Sequence, residues 1–198
     1  MSKGTATRQA VLDEAARVAS RVGLGGLTIG SLAAATQLSK SGLFAHFQSK
    51  ESLQLQLLDH ARARFVELVV RPALAAPRGE PRLRELFRCW LAWDTDGLPG
   101  GCLFVGASAE FDDQPGPVRD RLVQDQRDWL DTVAQVFRTG IAEGHFRPDA
   151  DPEQFACDLH GAMLAFHHAS RLLGDPDATA RATRAFEALL LAARPPAS

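Results

Sequence analysis

The chain has no tyrosine among its 198 residues, and only three lysines, three cysteines and two methionines. The cysteines, Cys89, Cys102 and Cys157, are odd in number and widely spaced. That excludes a disulfide framework and points to a reducing compartment, so a cytoplasmic location is expected. No window approaches the roughly 18 unbroken apolar residues of a membrane helix, so no membrane partner is expected. The opening "MSKGTATRQAVLDEAARV" has no apolar core and predicts no signal peptide. Sustained alternation of apolar and polar residues is missing, and with it any strong strand signal. There is no Gly-x-Ser-x-Gly, no phosphate-binding loop, no His-Glu-x-x-His and no convincing carboxylate pair, so an enzyme is not expected. No cofactor is implied. Cys157, His160 and His167 have no acidic partner at matching spacing, which leaves no expected metal site.

What is present is helical. Hydrophobic residues make up 45% and charged residues 23%, enough to bury a core. Val11, Ala15, Val18, Ala19 and Val22 share one face, and Gly23 can stop that helix. Thr28 is placed to cap a short helix to about Thr36, Ser39 another to Phe47, and Ser49 begins a long one. Residues 71–82, "RPALAAPRGEPR", read as a linker or bend. Further helices are predicted over 81–96, 102–111, 117–143, 152–173 and 176–193. The fold class is therefore all-α with about nine helices. The expected division is a domain at 1–50, a connecting helix at about 50–74, and a larger domain at 75–198.

Charge is uneven along the chain. Residues 1–64 hold eight basic and four acidic residues, and the remainder fourteen and twenty, for a net charge of −2. All three lysines, Lys3, Lys40 and Lys50, fall in the first fifty positions. A basic head on an acidic body suits a head that meets a polyanion.

Within that head, the helices at 28–36 and 39–47 are separated by only "QLS", the spacing of a helix-turn-helix. Leu32, Ala33, Leu38 and Leu43 are expected to pack inward, and Phe44 and Phe47, three apart, to anchor the last helix. Its exposed N-terminal half is the part that enters a major groove. Lys40 and Lys50 would neutralise phosphates, and Thr28, Ser39 and His46 would donate to phosphate oxygens. Ser41, Gly42 and Leu43 fall nearest base edges, with Lys40 also able to reach guanine. Taken singly, Thr28 and Ser39 need be no more than caps and Lys50 no more than a solvated charge. The set together favours DNA.

The order Thr28, Leu32, Ala33, Leu38, Ser39, Lys40, Ser41, Leu43, Phe44, His46, Phe47, Ser49, Lys50, Glu51, Leu53 resembles the recognition region of the TetR family of transcriptional regulators. The likeness covers about residues 7–53. Gln37 stands where that family usually has glycine, and Phe44 where it usually has a tyrosine that touches the DNA backbone. The resemblance implies an all-helical homodimer that binds a palindromic double-stranded operator, usually as a repressor. It also implies a C-terminal domain that binds a small, largely apolar effector, with release from DNA as the usual response. The last two helices would form the dimer face. The competing reading is a helical enzyme or interaction module without DNA binding.

For an effector site the acidic body offers Trp90, Phe104, Trp129, Met163 and His167, which combine bulk with central helices. Most such residues are ordinary core. Cys102 follows Gly100 and Gly101 at the start of an apolar helix, where a thiol can be activated for oxidants or electrophiles. A small buried hydrophobe is the simpler reading of Cys102.

Overall fold

The computed structural model describes residues 3–196, with side chains from residue 8 onward. Residues 1, 2, 197 and 198, at the ends of the two expected domains, lie outside the described residues. Every regular element among the described residues is helical, in agreement with the all-α expectation.

The chain divides into two compact units. The first runs from the N-terminus to Phe65 and takes in Thr95–Asp125. It contains α1 (Lys3–Val22), α2 (Ile29–Thr36), α3 (Lys40–Phe47), α4 (Lys50–Phe65) and α7 (Leu103–Phe111). It also holds the start of α8 (Pro117–Ala142). Between α4 and α7 lie α5 (Arg71–Ala75) and α6 (Glu80–Ala92), which belong to the second unit. The first core gathers Val11, Ala15 and Ala19 of α1, Leu32 of α2, Leu43 and Phe47 of α3, Leu57 of α4 and Ala107 of α7. Small residues at 15, 19 and 107 let these helices approach closely. Two salt-bridged pairs tie α4 to α8: Arg62 Nη1 lies 2.7 Å from Asp125 Oδ1, and Arg121 bonds Asp59.

The second unit comprises Val66–Asp94 and Gln126–Ser198. Besides α5, α6 and the remainder of α8, it holds α9 (Pro152–Arg171) and α10 (Ala178–Ala193). Its core is built on stacked rings: Phe87 on Phe186 at 4.3 Å, and Phe137 on both Phe146 at 4.5 Å and Phe155 at 4.3 Å. Such pairs add about 0.5–1.5 kcal/mol each beyond area burial. Arg84 bridges Glu80 and Glu187, and Arg194 returns to Glu80, joining α6 to α10. The Arg194 guanidinium, and then Arg84, hold the Glu80 carboxyl below its usual range.

Two sequence expectations need correction here. The stretch 71–82 is not simply a linker, because Arg71–Ala75 is helical. It follows a π-helical turn at Val66–Val70. Pro72 has no N–H to give Leu68, and its ring crowds that carbonyl, so the ladder widens just ahead of it. The helix expected over 81–96 runs only to Ala92, and a second π-turn, Trp93–Gly97, replaces its end. That turn buries both Trp93 and Asp94.

Candidate nucleic-acid interface and effector region

The two short helices of the first unit owe their starts to hydroxyl caps. Ser31 N donates to Thr28 Oγ1 at 3.0 Å, and Thr28 N donates back to Ser31 Oγ at 3.0 Å, a reciprocal capping box. At α3, Gly42 N donates to Ser39 Oγ at 3.1 Å. Each cap satisfies one orphan donor and leaves other N-terminal amides facing outward. The tight link between the helices depends on Gln37, whose φ of 57° is left-handed. Without a glycine there, the glutamine carries the strain of that conformation.

The structure sorts the predicted interface residues. Thr28, Ser39, Lys40, Ser41, Gly42, Phe44, His46 and Lys50 are all exposed. The starts of α2 and α3 converge: a Cβ built on Gly30 would lie 3.7 Å from Thr28 Oγ1 and 4.0 Å from Lys40 Nζ. One ammonium and the open amides of α2 therefore share a small region, a ready anion seat. Lys50 is already engaged, its Nζ donating to the Gly25 carbonyl.

Three expectations for this helix pair are overturned. Leu43 is 0% exposed: it packs inward as expected, and so cannot meet the base edge it was also expected to approach. Phe44 is 57% exposed and anchors nothing inward; that work falls to Phe47 at 0%. Leu38, expected inside, is 39% exposed on the turn. The helical period explains the exchange, since Leu43 and Phe47 are four apart on one face and Phe44 is turned away from it.

The expected effector residues fall in different units. Trp90, Trp129, Met163 and His167 belong to the second. Trp90 packs edge-on against Phe166 at 6.0 Å, and Met163 is fully buried. Phe104 belongs to the first unit, where it meets Phe65 edge-on at 6.1 Å. His167 Nδ1 lies 2.7 Å from Asp94 Oδ1, and Asp94 is 0% exposed. Sequence reasoning missed Asp94. It lies in the π-turn Trp93–Gly97, and no residue pattern signals its burial. His160 Nδ1 is buried with no hydrogen-bond partner among the described residues, and burial pushes its pKa down. Among the described residues no cluster of three metal-ligating side chains occurs, and no helix is long and apolar enough to cross a membrane.

Cys102 occupies the N-cap of α7 and is 4% exposed. A reactive thiol needs access as well as a favourable helix end. At 4% exposure Cys102 lacks that access and fits the simpler reading, a small buried hydrophobe.

Comparison with known proteins places these features. Residues 11–57 match a family model described as "Bacterial regulatory proteins, tetR family". Residues 79–186 match one described as "Tetracyclin repressor-like, C-terminal domain". The crystal structure of a TetR transcriptional regulator from Chloroflexus aurantiacus J-10-FL superposes with a TM-score of 0.85 at 28% identity, covering 96% of both chains. AibR, solved with isovaleryl coenzyme A and operator DNA, gives 0.74 at 24% identity over 92% of this chain and 97% of that one. Reduced NemR of E. coli gives 0.80 at 19% identity over 97% and 100%. The last two show the shared fold. No curated protein matches.

Proposed function

This chain belongs to the TetR family of bacterial transcriptional regulators, and on that premise we propose that it is a homodimeric repressor released from a palindromic operator by a small, largely apolar effector. One observation carries the DNA reading. The N-terminal half of α3 is exposed while its opposite side is fully buried, and Lys40 lies over the capped start of α2. Such a helix can enter a major groove without unfolding anything.

In this reading Lys40 and the amides at the starts of α2 and α3 take phosphates, with Thr28, Ser39 and His46 as further donors. Ser41 and Gly42 face the base edges, their small size admitting close approach. Phe44 supplies an apolar contact of the kind that meets a thymine methyl. Lys50 serves first as a tether for the Gly25 carbonyl and adds positive potential.

The dimer would form through α9 and α10. These helices pack on one another and still leave Leu164 at 39% and Leu191 at 69% exposed, with Leu172 at 73% and Leu173 at 65% just beyond α9. Exposed leucines spread along two packed helices suit a self-complementary twofold contact. The effector would be met by Trp90, Trp129 and Met163, with the His167–Asp94 pair as the polar feature that orients it. AibR, solved with both an acyl thioester and operator DNA, is a fold relative for which two such ligands coexist.

Fluorescence anisotropy with duplex DNA at several salt concentrations tests the DNA reading. Binding should weaken steeply with salt, and Lys40→Ala should lower the slope by about one unit. Selection from a random duplex pool should return a palindrome. No binding at low salt would favour an interaction module instead. Sedimentation across a dilution series should show a dimer that Leu191→Glu converts to monomer.

A further inference from the structure

Glu110 lies in the last turn of α7, yet its carboxylate is committed to a segment 85 residues earlier in the chain. Leu24 N donates to Glu110 Oε1 at 3.0 Å, and Gly25 N donates to Oε2 at 2.7 Å. Both oxygens are therefore used on backbone amides, a charge-assisted arrangement. The seat is shaped for a carboxylate. Gly23 has φ of +85°, and a Cβ there would come within 2.7 Å of both Glu110 oxygens. A Cβ at Gly25 would come within 3.0 Å of Oε2.

The carbonyls of the same two residues are held from the other side. Gln54 Nε2 donates to the Leu24 carbonyl at 2.9 Å, and Lys50 Nζ donates to that of Gly25. Leu24 and Leu27 are themselves 0% exposed. The segment between α1 and α2 is thus gripped by its amides from α7 and by its carbonyls from α4. Three residues after Gly25 the chain reaches Thr28, the cap of α2. From there α2 and a tight turn lead into α3. None of the gripping residues belongs to α2 or α3.

We infer that Glu110 is a positioning residue for DNA binding: by fixing Leu24 and Gly25 it sets the entry of α2 and so the aim of α3. This rests on the DNA-binding reading above. The sign of its effect separates it from simple electrostatics. Removing an anion from a DNA-binding unit, by charge alone, strengthens binding to a polyanion. Loss of the grip does the opposite, because only the fraction of molecules with α3 correctly aimed binds.

The test compares full-length wild type, Glu110→Ala, Glu110→Gln and a control, Arg121→Ala. The control loosens the same unit by removing the bonds to Asp59 and Asp125, without touching the segment at 24–25. Two quantities are read: amide hydrogen exchange at Leu24 and Gly25 in the free protein, and affinity for a duplex recovered by random selection, across salt concentrations. In Glu110→Ala, exchange at both amides accelerates and affinity falls about tenfold, the fall for a correctly aimed fraction near one in ten. The salt slope is unchanged, since no phosphate contact is lost. Glu110→Gln, which keeps one acceptor oxygen, falls between wild type and Glu110→Ala. Arg121→Ala lowers thermal stability but keeps both its affinity and its protection at 24 and 25.

Unchanged exchange in Glu110→Ala, or faster exchange with unaltered or tighter DNA binding, would overturn the inference. So would an equal loss of affinity in Arg121→Ala, or a slope reduced by a full unit. If wild type itself binds no duplex at low salt, the DNA-binding reading fails first, and that result is visible before any variant is made.

Discussion

Leu43 and Phe44 are neighbours in α3 with opposite fates, and substituting each by alanine separates the role of the core from that of the interface. Leu43 is 0% exposed within the cluster that also holds Leu32, Phe47 and Leu57. Truncating a buried leucine removes its transfer free energy and leaves a cavity, together about 2–5 kcal/mol. With a urea m-value of about 2 kcal/mol/M, Leu43→Ala should lower the unfolding midpoint by about 1–2.5 M. Leu43→Met, which keeps most of the volume, should recover much of that loss. Phe44 is 57% exposed. Surface truncations of that kind usually fall within about 0.5 kcal/mol, so the Phe44→Ala midpoint should move by no more than a few tenths molar. DNA affinity should show the reverse order when both proteins are fully folded: Phe44→Ala weakens binding, and Leu43→Ala largely keeps it. Circular dichroism in urea and anisotropy on one duplex supply both readings. A Phe44→Ala midpoint that falls as far as that of Leu43→Ala would refute the assignment of faces. So would wild-type DNA affinity in Phe44→Ala beside a large loss in folded Leu43→Ala.

Other expectations follow from single features. Gln37→Gly should raise thermal stability, worth about 0.5–1 kcal/mol, because glycine adopts a φ of 57° without the Cβ penalty and gives back only part of that gain as unfolded-state entropy; calorimetry checks it. Gly100→Ala should destabilise the first unit and lower the melting temperature, since a Cβ there would stand 1.6 Å from the Ser20 carbonyl oxygen. His160 has a folded pKa below its unfolded value of about 6.5, so it binds fewer protons folded than unfolded. Its contribution is therefore present above that pH and lost as pH falls through it. Urea midpoints between pH 7.5 and 5.5 should drop less in His160→Gln than in wild type. The Glu80 carboxyl, lowered by Arg194 and Arg84, acts in a lower window: stability from it is complete above about 4.5 and lost on further acidification, and Glu80→Gln should flatten that acid limb.

Much of this architecture was open to reading in the residues themselves. The starts of α2 and α3 follow from Thr28 and Ser39, because capping is a local contact between residues three apart. The end of α1 at Val22 follows from Gly23 for the same reason. The basic head, the short turn and the exposed hydroxyls of α3 are likewise properties of nearby positions. Period reading failed where a helix is too short to define its own face. Eight residues give little more than two turns, so Leu43 was expected both inside and near base edges, and Phe44 as an anchor, before the packing of the unit separated them.

The sequence alone determined which segments become helices, where most of them stop, and that an exposed cationic helix begins at Ser39, since these depend on interactions within a turn or two. Only the tertiary structure decided that Phe44 stays out, that Asp94 is buried beside His167, and that Glu110 closes on Leu24 and Gly25. The last two depend on contacts between residues 73 to 86 positions apart. No local preference encodes them, because the partner is supplied by the packing of the whole unit.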